Sequence, residues 1–163
     1  MKPPPVRLAV APGKSLLERY RLEGGFTDCR TAEVPRPVTL PELIAAFYSS
    51  AVFRPERWLL GAVLGRGATA ADVARLAAAE CDKFAAWTVE ARRVDQILLR
   101  DYQGRTRSWL MVEPLAHGTR LYFGSAVTAS QSRSGSIVFR ALLGFHRVYS
   151  RLLLGSAAKA LLR

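Results

Sequence analysis

The sequence predicts an α+β domain in which an antiparallel sheet holds one long C-terminal helix, with a helical segment after the first strand. Three patterns carry that expectation. From Phe84 to Thr128 apolar residues recur at period two between short turns, as in an antiparallel meander. Residues 137–163 switch to helical spacing and keep it. Ahead of both, Thr39 with Glu42 and Thr69 with Asp72 have the spacing of capping boxes, each opening a helical stretch.

Size and composition suit one packed domain. The chain has 163 residues, 50% apolar and 23% charged, and at that length about two thirds of the unfolded surface can be buried without a metal or a disulfide. A mainly disordered tail and a disulfide-built mini-protein are excluded. Cys29 and Cys81 suggest no disulfide framework. The opening MKPPPVRLAVAPG puts prolines where a signal peptide needs an unbroken apolar stretch, so a cytoplasmic protein is expected.

Residues 1–25 read as a loosely ordered lead-in, because Pro3, Pro4, Pro5 and Pro12 block regular structure and Gly24-Gly25 ends a short charged turn. The domain proper is 26–163. Gly13-Lys14-Ser15 has the ending of a phosphate-binding loop, but position 8 is Leu8 rather than glycine and Pro12 removes an amide donor, so no nucleotide is expected there. Phe26 to Val34 alternates as a first strand, stopped by Pro35 and Pro37. Three helices follow. The first starts at Thr39 with Leu43, Ile44, Phe47 and Tyr48 at helical spacing. The second starts at Arg54-Pro55-Glu56 with the stripe Trp58, Leu59, Ala62 and Val63, and the third runs from Thr69 to Cys81.

The meander then reads as strands beginning near Phe84, Val94, Arg105 and Thr119, five with the first. Trp109 and Met111 stand opposite Ser108, Leu110 and Val112, and Leu121, Phe123 and Val127 share one face of the last strand. In the closing helix Val138, Leu142, Phe145, Tyr149 and Leu152 form one stripe, and Arg140, Arg147 and Arg151 another. These arginines break every apolar run before the roughly 20 residues a bilayer crossing needs. The helix is therefore expected to lie on the apolar face of the sheet.

The formal net charge is +11, and arginine supplies 20 of the 24 basic residues, a bias that a GC-rich genome alone can produce. Its distribution is more informative. No acidic residue follows Glu113, whereas Arg120, Arg133, Arg140, Arg147, Arg151, Lys159 and Arg163 do. A basic C-terminal third suits an anionic membrane surface met through Arg140, Arg147 and Arg151, or simply a solvated helix face. Nucleic acid is disfavoured, since no nucleic-acid module is present and the strand aromatics lack an exposed stacking pattern.

The element order, with the strings FTDCRTAEV before LPELIAAFYSS, PERWLLGAVLG, GTRLYFGSAV and FHRVYSRLLL, resembles an uncharacterised bacterial family of unknown function, similar in layout to START-like and polyketide-cyclase-like helix-grip (SRPBCC) domains. The resemblance covers residues 24 to 163. It implies a curved sheet gripping the C-terminal helix around an apolar cavity, which in such domains holds a lipid, sterol, polyketide or aromatic compound. A small hydrophobic ligand is the partner it implies, and no cofactor.

Trp87, Trp109, Met111, Phe123, Phe145 and Tyr149 are the large side chains expected to converge on such a ligand. Convergent aromatics also fill an ordinary core, and both readings stand. His146, three residues before Tyr149, brings an imidazole near a phenol, alongside the reading of a satisfied or partly exposed histidine. Arg107 shares strand parity with Trp109 and Met111, so it calls for a carboxylate from a ligand, from Asp95 or from Asp101, unless it reaches solvent at the end of the sheet. His146, Tyr149 and Arg107 together would be the polar groups of a cyclase or isomerase; the third reading is an interaction protein with a filled core. Metal binding is not expected, because Cys29, Cys81, His117 and His146 lack ligand spacing. Neither cysteine has a visible base, and no GxSxG turn occurs.

Overall fold

A computed structural model describes residues 4–50, 52, 69–132 and 137–163, with the backbone alone at 131, 132 and 137–146. The N-terminal segment carries β1 (Arg7–Leu8) and α1 (Glu18–Leu22) and leads into β2 (Phe26–Val34), α2 (Leu40–Tyr48) and α3 (Ala70–Ala77). Strands β3 (Lys83–Phe84), β4 (Trp87–Arg93), β5 (Gln96–Asp101), β6 (Thr106–Leu115) and β7 (Gly118–Val127) precede α4 (Ala129–Ser132) and α5 (Ile137–Ala160). All seven strands form one antiparallel sheet in the order β1-β2-β7-β6-β5-β4-β3. No helix among the described residues is long and apolar enough to cross a membrane.

Both capping boxes form. Thr39 and Glu42 exchange side-chain and backbone hydrogen bonds at the start of α2, and Thr69 and Asp72 do the same at α3, which satisfies amide groups the first helical turn leaves over. The expected helix from Arg54 through Val63 lies outside the described residues. The five long strands match the expected ones, and the two extra strands, β1 and β3, are two-residue edges. The strand expected to run on from Phe84 is broken by Ala85, whose backbone is left-handed at φ 51°.

The sheet is buried on both sides. One face packs on the helices: Ala32, Val34, Ile97, Leu99, Leu110, Val112, Leu121 and Phe123 join α2, α3 and the C-terminal half of α5 in the main core. On the opposite face, Cys29, Leu98, Trp109, Met111, Tyr122 and Ala126 join Leu17 and Tyr20 in a second core. Residues 4–25, expected to be a loosely ordered lead-in, thus form the lid of that second layer. Leu17 and Tyr20 are fully buried, and the backbone around them is tied to the sheet by Leu16 N–H donating to Gln96 Oε1 at 2.9 Å and Arg93 Nη1 donating to Lys14 O at 2.9 Å. The prolines do prevent long regular structure, but side-chain plugs and hydrogen bonds to the sheet need none.

From residue 147 on, the inward face of the closing helix is not centred on the expected stripe, whose Val138, Leu142 and Phe145 side chains lie outside the described residues. Ser150, Leu153, Leu154, Ala157, Ala158 and Leu161 are buried, Tyr149 is half-buried and Leu152 is 54% exposed. Positions 150, 153, 154, 157, 158 and 161 follow the 3.6-residue period and share one face, with Leu152 on the opposite side of the helix. Arg36 Nε donates to Leu161 O at 2.6 Å and fixes the end of the helix beside the loop after β2.

Gly124 of β7 lies under the lid. A Cβ there would stand 2.5 Å from Leu17 Cδ1, 2.8 Å from Trp109 Cε3 and 2.9 Å from Asp28 O. Gly124→Ala is therefore expected to cost about 1–3 kcal/mol by overpacking the seam, read as a lower urea midpoint. An unchanged midpoint would show that Leu17 does not press on the sheet.

Candidate functional site

The two-sided sheet divides the expected site residues. Trp87, Phe123 and Tyr149 lie on the helix face, Trp87 and Tyr149 half-buried against the main core and Phe123 buried within it. Trp109 and Met111 lie on the opposite face with Leu17 and Tyr20, so they do not converge with the other three. In RTRSWLMVE both parities are apolar, and a period-two pattern cannot say which parity meets the helix. The side chains of Phe145, His146 and Arg140 lie outside the described residues, while Arg147 and Arg151 are exposed on α5.

Arg107 is also on the face away from the helix. Its carboxylate partner is Glu90, not Asp95 or Asp101: Arg107 Nε lies 2.7 Å from Glu90 Oε2 and donates to Tyr20 Oη at 2.7 Å. Asp101 instead accepts from the Arg105 and Thr106 amides. Tyr20 donates its hydroxyl to Glu90 Oε1, which also accepts from Arg19 Nη2 at 2.7 Å. The guanidiniums of Arg19 and Arg107 stand 4.7 and 4.8 Å from the Tyr20 ring centroid, within cation–π range. Glu90 was invisible as a partner because it is the extra residue of a β-bulge, where the β4–β5 register shifts between Val89 and Ala91. This knot of charge clamps α1 to the sheet. Arg107 and Tyr149 are separated by the thickness of the sheet and do not share one space.

Three residue rows cross the helix face at the β2 side. Ala32, Leu121 and Val112 are aligned in register and form an apolar row where Leu153, Leu154, Ala157 and Leu161 pack. One step along, Arg30 pairs with Phe123, which pairs with Leu110. The next row is polar: Asp28, Ser125 and Ser108 lie side by side, and Ser125 donates its hydroxyl to Asp28. Phe47 packs on the middle row, its ring centroid 4.7 Å from that of Phe123, and Tyr48 leads from Phe47 to Phe84 at the β3 edge. Arg30 and Asp28 were not singled out from sequence, although FTDCRTAEV places them at the parity of Ala32 and Val34.

On the other face, a pocket of 220 Å³ lies along the seam between residues 9–11, Leu17 and β2, with Cys29 in its wall. It is smaller than the roughly 300–1,000 Å³ of a pocket for a drug-sized ligand. Burial, reinforced by the Asp28 charge, pushes the Cys29 thiol up to about 12, which makes it a packing group rather than a nucleophile. Among the described residues, no three His, Cys, Asp or Glu side chains come together to hold a metal ion. Compared with family models, curated proteins and solved structures, the chain matches none.

The α1 clamp makes stability sensitive to alkali. Burial first, and then the hydrogen bond to Glu90, raise the Tyr20 hydroxyl above its ordinary value near 10. The folded state therefore prefers the protonated phenol; its contribution is complete below the unfolded value and is lost as pH rises through the folded one. Tyr20→Phe should lose less stability than the wild type between pH 8 and pH 11, measured by urea midpoints. Parallel losses in the two proteins would show that another group drives the alkaline transition.

Proposed function

We propose that the chain binds a small hydrophobic ligand between its sheet and α5, on a fold of the helix-grip, START-like type. The carrying observation is the composition of the helix face beyond the sealed row of Ala32, Leu121 and Val112. There Phe123, with Phe47 against it, stands beside a few placed polar groups, Arg30, Asp28, Ser108 and Ser125, and Tyr48 and the half-buried Trp87 continue the aromatic surface toward the β3 edge. Mostly apolar lining with a few convergent polar groups is what orients a ligand without denying it burial. The helix-grip reading is supported by three features: β2 pairs with the last strand, the helices enter before the meander, and α5 returns over the same face.

A second observation concerns where such a ligand is exchanged. On α5, Val148 and Leu152 are 62% and 54% exposed and sit beside exposed Arg147 and Arg151. Apolar side chains rimmed by cations suit the interface of an anionic bilayer, and we assign exchange to that surface.

Titration with the neutral fluorophore N-phenyl-1-naphthylamine tests the ligand face. Saturable enhancement is expected for the wild type, weakened on the order of tenfold by Trp87→Ala through loss of one aromatic wall and unchanged by Val94→Ser in an exposed turn. A wild type that gives no enhancement would overturn ligand binding in favour of a filled core. For the membrane, sedimentation with vesicles is expected to require anionic lipid and to fall as salt rises; equal binding to neutral vesicles would remove the electrostatic argument.

A further inference from the structure

We propose that the ligand ends in a carboxylate and that Arg30 holds it, an inference that rests on the helix face being the ligand surface. Arg30 stands in the middle row of that face, in register with Phe123 on β7 and with Leu8 on β1. Its Nε is buried and, among the described residues, has no hydrogen-bond partner; the guanidinium forms no ion pair with them either. The buried strand arginine, Arg107, behaves differently. Arg107 is satisfied by Glu90, Tyr20 and the Gly104 carbonyl. Arg30 is half-buried beside Phe123, and an enclosed donor without a partner is unfavourable unless something supplies an acceptor.

The shape of the donor names the class of ligand. Nε and the neighbouring Nη present two parallel N–H groups along one edge of a plane, which matches the two oxygens of a carboxylate. The surroundings favour a single negative charge over two. Asp28 lies two residues along the same strand face, roughly 7 Å away by strand geometry, and already accepts from Ser125. A dianionic head such as a phosphate monoester would be repelled by that carboxylate. With its head at Arg30, the apolar part of the ligand is directed across Phe123 toward Phe47, the ring against it.

Displacement of N-phenyl-1-naphthylamine from the full chain at pH 8 by dodecanoate, dodecanol and dodecyl phosphate tests this. The wild type should bind dodecanoate about tenfold tighter than dodecanol, the effect of one charge-assisted hydrogen-bonded pair. Arg30→Gln should bring dodecanoate to the level of dodecanol and leave dodecanol unmoved. Arg30→Met should do the same while melting no lower than the wild type, because it removes an enclosed donor that has no partner among the described residues. Equal affinity for dodecanoate and dodecanol in the wild type, or a carboxylate preference that survives in both variants, would overturn the assignment while leaving the ligand face intact. Tighter binding of dodecyl phosphate than of dodecanoate would overturn the carboxylate in favour of a dianionic head. Failure of the wild type to take up the fluorophore or any of the three chains would overturn the ligand face itself, and the role of Arg30 with it.

Discussion

Pairing between β2 and β7 joins the first long strand to the last, from Phe26 against Val127 to Val34 against Thr119. No local signal drives it; the entropy of closing so long a loop must be repaid by the two cores the pairing completes. It places α2 and α3 on one side of the sheet, and α5, which follows β7 after a short connection, returns to that same side. At its far end Gly118 has φ 140°, and a Cβ there would lie 2.1 Å from Val34 O, so glycine lets the strands meet. Thr119 adds a link, accepting from the Val38 amide and donating to Arg36 O, both at 2.9 Å. Arg30 stands beside Phe123 only because this register holds.

Features that depend on neighbours in the chain were legible in the sequence. The capping threonines, the five long strands, the turn before Gly118 and the extent of the closing helix all follow from spacing a few residues wide. Features that depend on which face a residue meets were not. Trp109 and Met111 are as apolar as Leu110 and Val112, so alternation alone left the two sides of the sheet interchangeable. Leu17 and Tyr20 sit among Lys14, Glu18, Arg19 and Arg21, and their burial follows from a docking site on the sheet built by residues far along the chain, such as Gly124 and Gln96. Glu90 needed the bulge. Arg30 needed the pairing with β7, because a strand read in isolation says which residues share its face but not what they look at.

Two of the strand arginines, Arg107 and Arg30, show how differently one side chain can be placed. Arg107 is enclosed by Glu90, Tyr20 and a carbonyl, so its charge organises the attachment of α1 and has little left to offer a ligand. Arg30 stands among rings and hydroxyls instead, with its donors uncommitted among the described residues. Stability alone would favour an apolar residue there. Under the proposed carboxylate ligand, recognition outweighs stability at that position.

The sheet ends in strands of two residues on either side, β1 and β3. Pro4 and Pro5 precede β1 and Pro12 follows it, and Lys83 lies in β3. A growing fibril, or a second copy adding its own strand, needs a run of unpaired amides and carbonyls along an open margin, and here each margin is too short and too interrupted to template one. Association of copies at these two margins is thus left to side chains rather than to the backbone.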